Sequence, residues 1–224
     1  LVSSSAASDV YKRQGFDKSI LIDIGDFSSM NYEDYAKLIE EQTPHLLEKF
    51  KNSYNESSDM RVALESIGIE YYTDGLNSLR DLPSDTVGMS ISQAVLEHVR
   101  VQDFTNTIQE LYRVHRPSSL SLHKVDLKDH LGGGLHNLRL PSSIWESPLF
   151  PNSGFYTNRL RSPDIQATFE AQHFKVLSHE ESRWDELPKE ANHRAQEFNH
   201  YSDTDLLVSG CYTIAQKRQE ALEV

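Results

Sequence analysis

The segment VGMSISQAVLEHV, Val87 to Val99, changes period in its middle. Val87, Met89 and Ile91 form a short apolar run that stops at Ser92 and Gln93. Ala94 to His98 then lead into a helical pattern. Upstream lies an acidic turn, Leu82-Pro83-Ser84-Asp85. Downstream, Asp103 to Arg116 reads as a helix with Asp103 as its cap, followed by Pro117 and a second apolar strand. Strand, polar tip, helix, strand is the order of a parallel α/β sheet, whose ligands sit beyond the carboxyl ends of the strands. Ser92 to His98 is therefore the first place to expect a site.

The same grammar extends both ways. Ser19 to Ile24 reads as a buried strand with Asp23 near its carboxyl end, and Gly25-Asp26 turns the chain. Asn31 is expected to cap a helix carrying Tyr32, Tyr35, Leu38 and Ile39, and Thr43-Pro44 to restart it. Asn52 to Asp59 reads as a polar loop, and Asp59 as the cap of a short helix that Gly68 ends. Ile69 to Tyr72 is a strand followed by the turn Thr73-Asp74-Gly75. Leu120 to Leu127 is another, unusually polar at Ser121, His123 and Lys124. Lys128 to Arg161 has no clean period and is rich in glycine, proline and aromatics, which predicts an ordered cover on the substrate side. A helix from Ser162, a strand from Phe174 to Leu177, a helix from Pro188 to Phe198 and a strand from Leu206 to Ala215 complete the pattern.

The 224 residues suffice for one sizeable core. A formal charge of −12 argues against phosphate-backbone binding, so no nucleic-acid partner is expected. Cys211 is the one cysteine, which excludes an internal disulfide and a thiolate cluster and fits a reducing cytoplasm. No apolar run approaches membrane-spanning length, so no membrane partner is expected either. Residues 1–14, LVSSSAASDVYKRQ, read as an adapter-like, non-native leader; residues 15–217 read as one domain, and 218–224 as a tail.

From Gly15 to Lys217 the order of elements resembles a class I S-adenosylmethionine-dependent methyltransferase, of the broad subgroup acting on small molecules, lipids and sugars. SQAVLEHV is similar to that family's fourth-strand motif, and ELYRVHRPSSLSLHKVDL to the helix, proline and strand that follow. The resemblance implies a doubly wound, Rossmann-like α/β sheet with a final antiparallel pair. It implies S-adenosylmethionine as cofactor. Asp23 matches the acid that accepts from the cofactor ribose, and Asp74 the acid near the adenine amine, with Gly75 and Leu76 flanking the ring. Ser92 and Gln93 match the strand tip beside the sulfonium. The family's first strand and its glycine-rich turn have no counterpart here, so the chain is expected to be truncated at its amino end. Pro117-Ser118-Ser119 stands where the family has proline and two glycines.

Methyl transfer to oxygen calls for a proton acceptor beside the methyl group. Glu97-His98 is one candidate. Some relatives carry Glu-x-x-Glu-His here and bind a divalent metal, but Ala94 takes the first acid position, and two ligands are too few for a metal site. His123 and His130, in HKVDLKDH, are the favoured bases, with Asp126 beside them on the substrate side. Strand alternation puts His123 with Val125 on one face and Lys124 with Asp126 on the other. Trp145, Tyr156, Asn158 and Arg159 could bind a sugar, a ring or an anionic group, or could simply cover the sheet. Gly132-Gly133-Gly134 lacks the strand-to-helix context of a phosphate loop and reads as a hinge. The expected activity is O-methylation of a small molecule or glycan precursor. A nicotinamide-dependent oxidoreductase and a non-catalytic methyltransferase-like scaffold are the alternatives; oligomeric state is left open.

Overall fold

The computed structural model describes residues 18–24, 31–150 and 153–219. The leader, the Gly25-Asp26 turn and most of the tail lie outside the described residues. The chain divides into two compact units at Leu82/Pro83.

In the first unit, β1 (Ser19–Ile22) pairs in parallel with β2 (Ile69–Tyr72), Ser19 opposite Ile69 and Ile22 opposite Tyr72. Between them run α1 (Tyr32–Gln42), α2 (Pro44–Ser57) and α3 (Met60–Ser66). Asn31 and Asp34 cap α1 reciprocally, each side chain accepting from the other's backbone N–H. Asp59 caps α3 through the N–H of Arg61 at 2.8 Å. Thr43 makes no side-chain cap; Pro44 alone restarts the helix. The loop expected from Asn52 is helix as far as Ser57, because the apolar stripe continues through Tyr54, whose ring stacks on Tyr32 at 4.4 Å. Tyr35, Ile39, Phe50, Leu64, Ile67 and Ile69 make this unit's core. Phe50 is fully buried, and such a side chain contributes about 1.5–3 kcal/mol relative to exposure. After β2, α4 (Gly75–Asp81) follows directly.

The second unit holds a four-stranded sheet in the order β3 (Val87–Gln93), β4 (His115–Asp126), β6 (Val208–Lys217), β5 (Phe174–Arg183). The β3–β4 pair is parallel, and β6 runs antiparallel to both β4 and β5. This mixed α/β layout is the expected one, including its antiparallel close. α5 (Val101–Val114) joins β3 to β4, and α6 (Ser162–Ala171) precedes β5. Phe104, Ile108, Leu111, Ile165, Phe169 and Phe174 are buried in the core.

Several boundaries differ from expectation for local reasons. The helix after β3 starts at Val101, so Asp103 lies in its first turn rather than capping it. β4 begins at His115 and contains Pro117, at the point where its register with β3 shifts between Val87 and Met89. A proline is tolerated at such an irregularity because no ladder donor is needed there. Ser118 takes a φ of +68°, the conformation that a glycine at this place would adopt at less cost. Pro188 to Phe198 forms two separate 3-10 turns, Lys189–His193 and Gln196–Phe198, rather than one helix. The break falls at Ala195, whose N–H donates to Leu138 O at 2.8 Å instead of to its own turn.

The cover carries a 3-10 turn, His136–Arg139, and a short helix, Ser142–Trp145. Its glycine run is not a hinge. Asp129, 2 % exposed, accepts from the N–H groups of Leu131 (3.0 Å), Gly133 (3.2 Å) and Gly134 (3.4 Å), and from His136 N and Nδ1. One carboxylate thus pins the whole loop. Cys211 is buried on β6, and burial pushes its thiol up to about 12. Among the described residues no helix is long and apolar enough to cross a membrane.

Candidate functional site

In the second unit the chemistry gathers at the carboxyl ends of β3 and β4. Ala94, just past β3, has a φ of +53° and donates its N–H to Lys124 O at 2.9 Å. A non-glycine residue held there costs about 1–2 kcal/mol, and such strain concentrates at functional sites. Leu96–His98 then makes a single 3-10 turn.

Glu97 is 2 % exposed. Its Oε1 accepts from Asp126 N at 3.3 Å, and its buried Oε2 has no hydrogen-bond partner. Burial, with the neighbouring Asp126 carboxylate adding to it, pushes the Glu97 carboxyl up to about 7. His98 is half-buried; its Nδ1 lies 2.8 Å from Tyr156 O, and its ring 4.9 Å from that of His130. Burial holds His98 below the ordinary imidazole range, opposed by that hydrogen bond. Asp126 is half-buried and pairs with Lys128 at 3.5 Å, while His130 is exposed. Glu97, His98, Asp126 and His130 thus come together at one edge. Gln93 is exposed at the strand tip. Among the described residues no group of three or more His, Cys, Asp and Glu side chains is placed to hold a metal ion.

His123 is not part of this cluster. Alternation puts it on the opposite face of β4, as expected, where it is 1 % exposed against Phe169 of α6, ring to ring 5.2 Å. Its Nδ1 meets Ser92 Oγ at 2.7 Å and its Nε2 meets Ser121 Oγ at 2.6 Å. Ser121 in turn meets Ser90 at 2.7 Å. Burial pushes His123 well below the usual range. Ser92 likewise spends its hydroxyl on His123 beneath the sheet rather than presenting it at the tip.

The cover residues are largely spent on the cover itself. Trp145 is fully buried, donates Nε1–H to Thr157 O at 2.7 Å and stacks on Phe150 at 4.8 Å. Arg159 lies between the Trp145 and Phe198 rings (5.5 and 4.8 Å) and donates to Leu140 O (2.6 Å) and Ser142 Oγ (2.7 Å). The Tyr156 hydroxyl donates to Glu146 Oε2 at 2.8 Å. Asn158 grips the 96–99 turn, donating to Leu96 O (2.8 Å), Val99 O (3.0 Å) and, from its backbone, Glu97 O (2.7 Å). These hydrogen bonds lie within the segment itself or run to the 96–99 turn. The grip of a cover backbone carbonyl on His98 left no mark in the sequence, because any residue supplies that carbonyl.

In the first unit, Asp23 and Asp74 stand just past the ends of β1 and β2, which are hydrogen-bonded neighbours. Asp23 N donates to Tyr72 O (2.9 Å), and Asp23 O accepts from Gly75 N (2.8 Å). Asp23 Oδ1 accepts from Ile24 N at 2.8 Å, and Asp74 Oδ2 from Asn77 Nδ2 at 3.2 Å. Each carboxylate keeps its other oxygen without a hydrogen bond among the described residues. Gly75 has a φ of +48°, and a Cβ there would meet Ile24 Cγ2 at 3.1 Å, so glycine suits this turn. Leu76 beside it is half-buried.

No family model and no curated protein sequence matches the chain. Among solved structures it is similar to a SAM-dependent methyltransferase of Methanosarcina mazei: TM-score 0.50 and 15 % identity, over 94 % of this chain and 98 % of that one. It is also similar to the 1,6-didemethyltoxoflavin-N1-methyltransferase of Burkholderia thailandensis, solved with its acceptor and S-adenosylhomocysteine. There the TM-score is 0.46 and the identity 8 %, over 96 % and 77 % of the two chains. The first of these supports the fold and nothing finer; no weight rests on the second.

Proposed function

We propose that this chain is an S-adenosylmethionine-dependent methyltransferase acting on a small molecule or glycan precursor, with oxygen as the favoured acceptor atom. The observation that carries the reading is the pair of solvent-accessible carboxylates, Asp23 (half-buried) and Asp74 (exposed), at neighbouring strand tips, each with one oxygen that takes no hydrogen bond among the described residues. Two such groups fit an adenosyl moiety. One carboxylate accepts from both hydroxyls of a ribose, and the other accepts from an adenine amine. Gly75 and Leu76 would flank the base. The cofactor, when bound, supplies a methyl group on a sulfonium that leaves as a neutral thioether.

In the second unit, His98 is the residue we assign as proton acceptor, in place of His123 and His130. Both nitrogens of His123 are occupied. His98 is held by one nitrogen only. An acceptor hydroxyl losing its proton to His98 Nε2 frees an oxygen electron pair for the new bond to carbon. Asp126 and His130 line the same edge and would contact the acceptor. Gln93 remains at the tip. Tyr156, Asn158, Trp145 and Arg159 would shape the acceptor's enclosure from behind. A cytoplasmic setting fits the single buried thiol.

Titration calorimetry of the chain with S-adenosylhomocysteine, and in parallel with NADH, tests the reading. Binding of the first alone supports it. Binding of NADH alone favours the oxidoreductase alternative. S-adenosylhomocysteine binding without methyl transfer to any of a panel of phenols, sugars and carboxylic acids favours the scaffold.

A further inference from the structure

The tip turn and the cover are joined in a way that bears on proton transfer. A backbone carbonyl can only accept a hydrogen bond. The 2.8 Å contact from His98 to Tyr156 O therefore requires the proton on Nδ1. In a neutral imidazole the other nitrogen, Nε2, then carries the lone pair. That nitrogen takes no hydrogen bond among the described residues.

Free histidine does not favour this arrangement by itself, so something must hold the ring against the carbonyl. Asn158, 6 % exposed, has the contacts to do so. Its side-chain amide donates twice, to Leu96 O and Val99 O, and its backbone N–H donates to Glu97 O. Its Oδ1 accepts from Leu160 N at 3.1 Å. Three carbonyls of the turn that bears His98 are thus tied to the residue two places beyond Tyr156. The other side of that segment is anchored in the cover through Thr157 O on Trp145 and through Arg159.

We infer that Tyr156 and Asn158 form a clamp that fixes His98 as the Nδ1–H tautomer, leaving Nε2 as the lone pair at the strand tips, with Asn158 as a positioning residue. Naming Nε2 the base for methyl transfer rests on the function proposed above; the tautomer does not. The other groups at this edge are Glu97, Asp126, Lys128 and His130. None of them hydrogen-bonds to His98 Nδ1, so the carbonyl alone selects the proton's place.

The test is long-range proton–nitrogen correlation NMR on the chain with nitrogen-15-labelled histidine, the His98 signals being assigned by their loss in His98→Gln. The expected result is a protonated Nδ1 and an unprotonated Nε2 for His98 at pH 7.5. A predominant Nε2–H form overturns the clamp. In Asn158→Ala the protonated-Nδ1 pattern should collapse toward the Nε2–H form. An unchanged pattern in a folded Asn158→Ala removes Asn158 from the device. Should that variant fail to fold, Tyr156→Phe supplies a second check. It keeps the carbonyl and must keep the tautomer, and a lost tautomer there would assign the effect to the hydroxyl and sink the clamp as stated. Calorimetry with S-adenosylhomocysteine on the same samples separates the two claims. Binding with the wrong tautomer refutes only the clamp, and the right tautomer without binding refutes only the cofactor reading.

Discussion

His98 and His123 stand within one β–α–β unit, and their surroundings make them different reagents. His123 lies under the sheet, flanked by Ser92 and Ser121, with both nitrogens bonded and an aromatic ring against it. His98 lies at the sheet's edge, bonded once, beside a buried acid with an unpaired oxygen. Burial alone does not distinguish a functional group from a structural one, since a buried polar group is normally satisfied. The distinction lies in what remains unsatisfied after the fold has taken its share.

The largest expected effect breaks or keeps this contrast directly. With an acceptor from the panel in hand, His98→Gln should lower turnover by about 10²–10⁴, the usual contribution of a positioned base. His123→Gln should leave turnover per folded molecule within a few-fold. Equal losses in methyl-incorporation assays would erase the difference between the two rings.

Next in size is stability. His123→Ala removes a buried ring and strands the Ser92 hydroxyl, while Ser121 keeps Ser90, and should cost about 2–4 kcal/mol in urea unfolding. His98→Ala should cost less than half as much. A reversal of that order would mean that the edge, not the underside, is the structural site.

Asp23→Ala sharpens the comparison by isolating cofactor binding from proton transfer. It should weaken S-adenosylhomocysteine by roughly 1–3 kcal/mol, the value of a hydrogen bond to a charged group. The His98 tautomer should stay as it was. Unchanged affinity would take Asp23 out of the site.

The smallest effect is a slope with pH. His98, His115, His123 and His179 all have imidazoles depressed by burial in the folded chain. The unfolded chain binds protons first, so their contribution is complete above about pH 6.5 and is lost as pH falls through the folded values. Glu97 acts in the opposite sense. Its folded value of about 7 lies above its ordinary 4.5, so its contribution is complete below 4.5 and is lost as pH rises through 7. Glu97→Gln should therefore gain stability relative to the parent as pH rises from 4.5 to about 7.5. Melting curves whose difference does not change with pH would contradict the assigned titration.

Much of the fold was legible because its signals are local. Asn31 and Asp59 cap the helices they precede, and the 69–72 strand has the bounds its apolar pattern marks. The antiparallel close was what the family resemblance implied, and β6 does run antiparallel to β4 and β5. What escaped depends on partners distant in sequence. Ala195 breaks a helix because Leu138 O claims its N–H. Asp129 converts a run of glycines from a hinge into a pinned loop by collecting backbone donors up to seven residues away. At the site, residue types were legible but orientations were not. HKVDLKDH offers two histidines, and only strand pairing reveals that Ser92 closes off the first. Trp145 and Arg159 look alike in sequence whether they face a ligand or each other; in the structure the Arg159 guanidinium lies over the Trp145 ring.

One consequence follows from Cys211. Its thiol is enclosed in the sheet and stays protonated at any working pH, so maleimides and disulfide reagents should pass over the native chain. The protein is in effect already cysteine-blank for labelling. Leu149→Cys, at a cover position 82 % exposed, would give a single attachment point for a fluorophore, with the parent chain as its built-in unlabelled control.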